Sequence, residues 1–389
     1  MLLTIRGIPT HHTSSQMDTP TVAVNIGLRI KHAREILNLT QEQVSVAMGF
    51  NDRQTLSDVE KGKRSVKADE LVQFGDVLNQ ELEFFLDPFS VVAEAQYSWR
   101  ASTDVTEDVL NSFEARAGGW VGMQRWLRAQ SPCPQSPLGF LLRLDMHSTF
   151  EQVQAKAEQL GDQLQLGTIP ALKLADCIEK QLDIPVLFVD VNTDAQSGTI
   201  SGAACHLAEL GVILVNRRES TVRRNFDLAH ELFHSLTWER MKPDHRESNS
   251  SEARQRTKRG EQLADNFATA LLMPKTSLDA LIYPARQKDV KHLADVAAQL
   301  RVSVGTLGWR LRALGRIDES TRKSLLCERR PGPDDEMPKL FAETFVKQLH
   351  TALDKGRLTA RKAAKALGLP LQELAQLFVA YNLSDPFKS

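Results

Sequence analysis

Apolar residues recur every three or four positions over much of the chain, and this spacing predicts a mostly helical protein. Between residues 26 and 89 the pattern is divided into five short periods, the first running from Ile26 to Leu37. Thr40 marks the start of the second period, because Gln43 three residues later completes a capping box. The pattern therefore predicts a small N-terminal domain of five helices, over residues 21–90.

Three short apolar runs have the length and flanking residues of β-strands rather than helices. They are Ile184–Val191, Ile200–Leu207 and Gly211–Asn216. We expect these strands to form a small sheet whose edge pairs with an extended peptide, along Val212–Val215 or Ser201–His206. Helices are predicted on both sides of this region. The fold class is therefore α+β, with helix predominating.

The segment from Asn225 to Leu236 is apolar on most sides, which predicts a buried helix with Asn225 as its N-cap. It contains His-Glu-x-x-His, so His230 and His234 lie one turn apart and can share a metal ion. Glu231 lies beside them, where it can accept a proton from bound water. Burying these groups is costly unless a cation such as zinc pairs them. The alternative is a buried helix with two hydrogen-bonded histidines.

A catalytic zinc site needs a third protein ligand. Residues 261–274 predict a second helix, which places Glu261 and Asp265 on one face. We expect Glu261 to ligate the metal and Asp265 to accept a hydrogen bond from the far nitrogen of a zinc-bound histidine. A solvated acidic face is the alternative. Four rival ligands lie in a polar, turn-rich stretch that offers a less rigid mount: Asp244, His245, Glu247 and Glu252.

Several motifs follow one another in this region: Asn216, Arg223-Arg224-Asn225-Phe226, the His-Glu-x-x-His, and E-x-x-A-x-x-F-A-x-x-L-L-M-P. By these motifs residues 166–318 resemble the ImmA/IrrE-type zinc metallopeptidases of bacteria and their phages. The resemblance implies a zincin-like domain in which His230, His234 and Glu261 hold one zinc ion and Glu231 is the catalytic base. It also implies a protein substrate, such as a repressor or a partner encoded nearby. Manganese is a less favoured occupant, because two imidazoles favour zinc.

The five-helix segment contains T-Q-E-Q-V-x-x-A-M-G-F followed by T-L-S-D-V-E-K-G-K-R, and so resembles the Cro-type (XRE) helix-turn-helix domains. The resemblance implies that its third helix, over residues 53–60, enters the major groove of double-stranded DNA. By position four side chains would read bases: Arg53, Gln54, Thr55 and Ser57. Four others would hold phosphates: Gln41, Lys61, Lys63 and Arg64. A solvated turn is the alternative for the charges around Lys63.

Two later stretches, residues 293–317 and 345–378, also have the rhythm of a helix-turn-helix. Neither has a basic recognition helix, so we expect protein packing or dimerisation, including a homodimer. The predicted organisation is a disordered N-terminus over 1–20, the helix-turn-helix domain over 21–90, a helical linker or scaffold over 91–165, the peptidase domain over 166–320, and a helical C-terminal domain over 321–389.

Composition sets the remaining limits. The 389 residues are 42% hydrophobic and 25% charged, with a formal net charge of −1. DNA contact must therefore come from a local basic patch rather than from a uniformly basic surface. No stretch is long and apolar enough to span a membrane, and the four cysteines include no Cys-x-x-Cys pair. Reduced thiols in a bacterial-type cytoplasm fit best.

Two hypotheses follow from these motifs. In the first, the chain is a cytoplasmic, DNA-binding, zinc-dependent endopeptidase that regulates a stress, phage-related or defence locus. In the second, it is chiefly a transcriptional repressor, or the antitoxin of a toxin–antitoxin pair, and its zinc domain is a sensor or a partner-binding module. Both hypotheses predict the same fold, so only catalytic activity separates them. A further alternative is that the helix-turn-helix domain binds protein and that the enzyme acts away from DNA.

Overall fold

The computed structural model describes residues 19–130, 142–191, 198–245, 251–328 and 336–384. The predicted disordered N-terminus lies outside these ranges, apart from the start of the first helix at Thr19. The chain divides into two compact units, one of residues 1–94 with 122–134 and one of residues 95–121 with 135–389. The finer division into domains stays a prediction.

Five helices form the N-terminal unit, as the sequence predicts: α1 (Thr19–Ile36), α2 (Gln41–Ala47), α3 (Arg53–Glu60), α4 (Ala68–Leu78) and α5 (Leu82–Leu86). The predicted capping box is present at α2, where the Thr40 side chain accepts the backbone N–H of Gln43. The apolar faces of the helices meet around Leu56, Phe74 and Phe85, which are all fully buried. This packing fixes the position of α3.

The second unit contains a four-stranded sheet: β1 (Gln96–Ala101), β2 (Val186–Val189), β3 (Ile200–Leu207) and β4 (Leu210–Asn216), in the order β1-β3-β4-β2. The β1–β3 and β3–β4 pairs are antiparallel, and β2 is parallel to β4. Three of the strands were predicted, but β1 lies in the region 91–165 that was expected to be helical. Only three consecutive residues of β1 are buried, which is too short a run to identify a strand from the sequence.

The additional strand changes which edges of the sheet are open. β3 lies between β1 and β4, and β4 lies between β3 and β2. Neither Ser201–His206 nor Val212–Val215 is therefore at an edge, and the prediction that these segments pair with a peptide is wrong. The edges of the described sheet are β1 and β2.

The other elements of the described chain are helical: α6 (Glu107–Ala129), α7 (Phe150–Gln163), α8 (Leu174–Gln181), α9 (Thr221–Thr237), α10 (Ser251–Leu272), α11 (Lys275–Leu281), α12 (Val290–Gln299), α13 (Val304–Ala313), α14 (Glu319–Cys327), α15 (Glu343–Asp354), α16 (Ala360–Leu367) and α17 (Leu371–Ala380). Short single-turn 3₁₀ segments are left out of this numbering. With 60% helix and one small sheet, the mostly helical α+β fold is confirmed.

Two of these helices begin earlier than predicted. Helix α9 starts at Thr221, so Asn225 is inside the helix and is not its N-cap. The Asn225 side chain instead donates a hydrogen bond to the backbone carbonyl of Arg301, at 3.1 Å. Helix α10 starts at Ser251, ten residues before Glu261. The first turns of both helices are polar, so they lack the apolar spacing from which the rest of each helix was predicted.

Helix α9 is the central element of the second unit. It contacts β3 and β4 as well as α10, and α10 in turn contacts α7. The Phe233 and Phe267 rings meet at a centroid distance of 5.4 Å and join α9 to α10. From Asp227 to Thr237 every residue of α9 is buried. The polar side chains in this segment must therefore find partners inside the protein.

Two further sequence predictions concern membrane-spanning segments and the state of the cysteines. Among the helices in the described ranges, none is both long enough and apolar enough to cross a membrane. Cys177 and Cys205 are buried free thiols and Cys327 is an exposed one. Cys133 lies outside the described residues.

Candidate metal centre and DNA-binding helices

Two histidines of α9 point to a common position. The Nε2 atoms of His230 and His234 lie 3.1 Å apart, because residues four positions apart lie on the same face of a helix. Both side chains are almost inaccessible, with exposed fractions of 1% and 3%. Two ring nitrogens brought together away from water form a natural pair of metal ligands.

Glu261 of α10 offers a third candidate ligand atom. Its Oε2 lies 3.0 Å from His230 Nε2, and its Oε1 lies 3.4 Å from His234 Nε2. In a tetrahedral zinc site with bonds of about 2.0–2.1 Å, ligand atoms are about 3.3 Å apart. The three side chains therefore have the spacing that one zinc ion requires. The Glu261 side chain is 33% exposed, which leaves this side of the site open to solvent.

The rival ligands do not join this cluster in the part of the chain that is described. The three-residue group of His230, His234 and Glu261 contains neither Asp244 nor His245. The His245 ring instead lies 2.6 Å from a carboxylate oxygen of Glu114. The side chains of Glu247 and Glu252 lie outside the described residues.

Asp265 lies on the far side of the His230 ring. Its Oδ1 is 3.0 Å from His230 Nδ1, as expected for a carboxylate one helical turn after Glu261. A proton on Nδ1 is thereby held by Asp265, which leaves the lone pair of Nε2 for a metal. Asp265 thus fixes both the orientation and the tautomer of His230.

Glu231 is not one of the three residues whose atoms converge as candidate metal ligands. It is 1% exposed, and its Oε2 accepts no hydrogen bond from any residue in the described ranges. β3 passes close to it, since a Cβ at Gly202 would lie 3.7 Å from Glu231 Cγ. Burial raises the pKa of Glu231. A buried acceptor without a partner is costly, so this oxygen is a candidate to accept a proton from a ligand such as water.

Three charged residues beside the site were missed in the sequence analysis. Asp227 of α9 is fully buried, and its carboxylate lies 2.9 Å from Arg100 Nε and 3.0 Å from Arg223 Nε. Burial raises the pKa of Asp227, and the two arginines oppose this effect. An acidic residue in an apolar helix was a visible signal for Asp227. Arg100 is on β1, and nothing in the sequence connects it to α9.

The charges around the site are those that a divalent cation would balance. When all four carboxylates are ionised and His230 has lost its proton, as metal binding requires, four carboxylates face two guanidinium groups and two negative charges remain uncompensated. The carboxylates are Asp227, Glu231, Glu261 and Asp265, and the guanidinium groups are Arg100 and Arg223. A zinc ion carries the missing two positive charges, so the donor set and the charge balance agree.

Protons compete with a metal for the same atoms. Burial and Arg100 lower the pKa of His230, but hydrogen bonds with Asp265 and Glu261 outweigh them and raise it to about 9. Burial raises the pKa of Glu261, but its hydrogen bonds with His230 and His234 hold it far below its usual range. A metal ion must therefore displace the proton of His230 before it can bind Nε2.

The predicted recognition helix α3 is capped by Asp52, whose side chain accepts the backbone N–H of Thr55 at 2.8 Å. Arg53 and Gln54 in the first turn are exposed, and the Gln54 amide donates to Asp58 at 2.8 Å. Thr55 is partly exposed, and its hydroxyl donates to Asp52. Lys61 and Lys63, after the helix, are exposed. These positions are compatible with DNA contact.

Three of the predicted DNA contacts are engaged within the protein. Ser57 is only 7% exposed and faces the core, so a base-reading role for it is not supported. Gln41 donates at 2.7 Å to the buried Glu60, which also pairs with Arg34 at 2.6 Å. Arg64 forms two hydrogen bonds with Glu70, at 3.0 and 2.5 Å. The exposed residues of the first turn and the two lysines remain the better candidates.

Comparison with known proteins gives two family matches. Residues 179–312 match the IrrE N-terminal-like domain, and residues 30–85 match the helix-turn-helix family. A search of curated proteins found no match. Among solved structures, the apo form of the competence regulator ComR from Streptococcus vestibularis matches at 12% identity and a TM-score of 0.16, covering 93% of this chain and 100% of that chain. A TM-score this low supports no structural argument.

The metal assignment predicts one zinc ion per chain, which His234→Ala should lose. Asp265→Ala removes the carboxylate that orients His230, so it should weaken metal binding about ten- to a hundredfold. Elemental analysis and titration against a competing chelator measure both effects. Asp354→Ala, at an exposed position on α15, is the control. Unchanged metal content in His234→Ala would contradict the assignment of His234 as a metal ligand.

Metal affinity should also increase with pH. His230 has a pKa of about 9 and must lose its proton, so the apparent association constant should rise about tenfold per pH unit between pH 6 and 8. Calorimetry in buffers of different ionisation enthalpy counts the protons released. In Asp265→Ala one support of the raised pKa is missing, so the slope should be shallower. An affinity independent of pH over this range would contradict the prediction.

Proposed function

We propose that this chain, which joins a helix-turn-helix domain to an IrrE-type metallopeptidase domain, is a DNA-binding regulator that acts as a zinc-dependent endopeptidase. The observation that carries the proposal is Glu231, a buried carboxylate with an unpartnered oxygen beside three converging ligand atoms. Structural zinc sites are closed by four protein ligands, whereas catalytic sites have three and keep one position open. Three ligands and an adjacent base support catalysis.

A zinc ion held by His230, His234 and Glu261 would polarise the scissile carbonyl and lower the pKa of a water molecule. Glu231 accepts the proton of the attacking water and later donates it to the leaving amine. Its raised pKa suits both steps, because a carboxylate that holds its proton more tightly is a stronger base. Asp265 keeps His230 oriented while these transfers take place.

The position of β1 suggests where a substrate would lie. Arg100 of β1 is opposite Gly202 of β3 and reaches Asp227 on α9, so β1 is the sheet edge beside the ligands. On the outer side of β1, the backbone N–H of Trp99 donates a hydrogen bond to the backbone carbonyl of His245, at 3.1 Å. An extended peptide that added a strand to this edge would take the place of that carbonyl.

The helix-turn-helix domain would hold the peptidase near a promoter. We infer that the substrate is a repressor or a partner protein encoded nearby, and that its cleavage regulates a stress, phage-related or defence locus. The other hypothesis, a repressor or antitoxin with a zinc-dependent sensor module, predicts the same DNA binding. It gives Glu231 no task, and on that ground we favour the peptidase.

Glu231→Gln separates the two hypotheses. The amide cannot accept a proton from water, so peptide cleavage should be abolished, while zinc content, thermal stability and DNA binding stay close to wild type. In cells, the target locus should remain uninduced under stress, with the substrate intact on a blot. Normal induction by a Glu231→Gln strain, with every candidate partner uncut, would refute the peptidase hypothesis.

The exposed residues on α3 and just after it should make two different contributions to DNA binding. Arg53→Ala should cost about 1–3 kcal/mol at the preferred site and relax sequence preference, as expected for a base contact. Lys63→Ala should weaken binding to all duplexes alike and flatten the salt dependence, because a phosphate contact carries no sequence information. Gel shifts over promoter fragments measure both. Equal affinity of the wild type for its own promoter and for random duplex would count against repression.

A further inference from the structure

The C-terminal helices α15, α16 and α17 lie outside both segments that match known families. α17 contacts both α15 and α16. α16 ends at Leu367 and α17 begins at Leu371, so a turn of three residues joins them. Gly368 in this turn has a φ of +65°, a conformation that glycine adopts without strain. Two helices joined in this way have the connection of a helix-turn-helix motif.

The helix α16, together with the connection that leads into it, is strongly basic. Between residues 355 and 365 the chain has five basic residues and no acidic residue, although its overall formal charge is −1. All five side chains are exposed, and we call them the α16 basic face: Lys355 and Arg357 in the connection before α16, and Arg361, Lys362 and Lys365 on α16 itself. A local positive surface of this kind is what DNA contact requires in a chain without net positive charge.

The opposite side of α16 is already packed against α6. Leu367 is buried, and its carbonyl accepts a hydrogen bond from Trp120 Nε1 at 2.9 Å. Gly119 of α6 lies so close that a Cβ there would be 2.1 Å from the carbonyl oxygen of Ala366. The apolar side of α16 therefore serves the core. The basic side is the one presented to solvent.

Helix α17 presents side chains that suit base contact. Gln372 and Gln376 are exposed and four residues apart, at the second and sixth positions of the helix. The amide of glutamine can form two hydrogen bonds with adenine in the major groove. The sequence analysis expected packing or dimerisation here because α17 has no basic residue. In a helix-turn-helix, however, the preceding helix crosses the DNA backbone and can supply the phosphate contacts.

We propose that α16 and α17 form a second DNA-binding surface, in which the α16 basic face holds the phosphates of a duplex and α17 lies against its major groove. This surface is additional to α3 and does not depend on peptidase activity.

The experiment measures binding of the full-length chain to a random-sequence duplex over a range of salt concentrations. The variant is Lys355→Gln with Arg361→Gln and Lys362→Gln, since glutamine keeps helix propensity and removes charge. Each lost phosphate contact lowers the slope of log K against log salt by about 0.9. Three lost contacts should lower the slope by about 2 to 3 and the affinity about a hundredfold at 0.1 M salt.

The matched control is Lys173→Gln with Lys275→Gln and Lys291→Gln, which removes the same charge from exposed lysines elsewhere in the second unit. It should change the slope by less than the loss of one contact, and both variants should unfold at the wild-type temperature. Equal behaviour of the two variants would overturn the proposal. The two variants would also behave equally if the α16 basic face bound an acidic protein or an anionic lipid surface, because the loss of its charges would then leave DNA binding unchanged.

Discussion

The burial of charge on α9 is the constraint on which the second unit depends. Asp227, His230, Glu231 and His234 are each no more than 3% exposed, and unpaired polar groups in such positions would be strongly destabilising. The partners of the two histidines and of Asp227 come mostly from other elements: two carboxylates from α10 and one guanidinium group from β1. The helix can therefore be buried only when these elements are in place, and folding and metal affinity are linked.

Much of the candidate site was predictable because its residues lie close together in sequence, at helical spacing. His230 and His234 are four positions apart, and so are Glu261 and Asp265, so each pair shares a helix face whatever the tertiary fold. Arg100 could not be predicted in this way. Its contact with Asp227 spans more than a hundred residues and depends on the β1–β3 register, for which a short strand gives no sequence signal.

In the helix-turn-helix region, too, features that depend on local spacing were predictable and features that depend on tertiary contacts were not. The five helices and the Thr40 cap follow from local spacing and were predicted correctly, although α1 begins at Thr19, earlier than its apolar spacing indicates. Which side chains remain available to DNA depends on partners elsewhere in the unit, such as Glu60 for Gln41 and Glu70 for Arg64. Position within a motif identifies a helix, whereas tertiary packing decides which of its side chains remain exposed.

The pairing of β1 with β3 means that family boundaries and structural boundaries differ. The matched segment begins at residue 179, but the strand that closes one side of the sheet is residues 96–101. A fragment cut at the start of the matched segment would make β3 an edge strand, with the side that pairs with β1 exposed as a template for intermolecular strand addition. It would also leave Asp227 with one guanidinium partner instead of two. Such a fragment should aggregate, and its inactivity would say nothing about the chemistry of the intact chain.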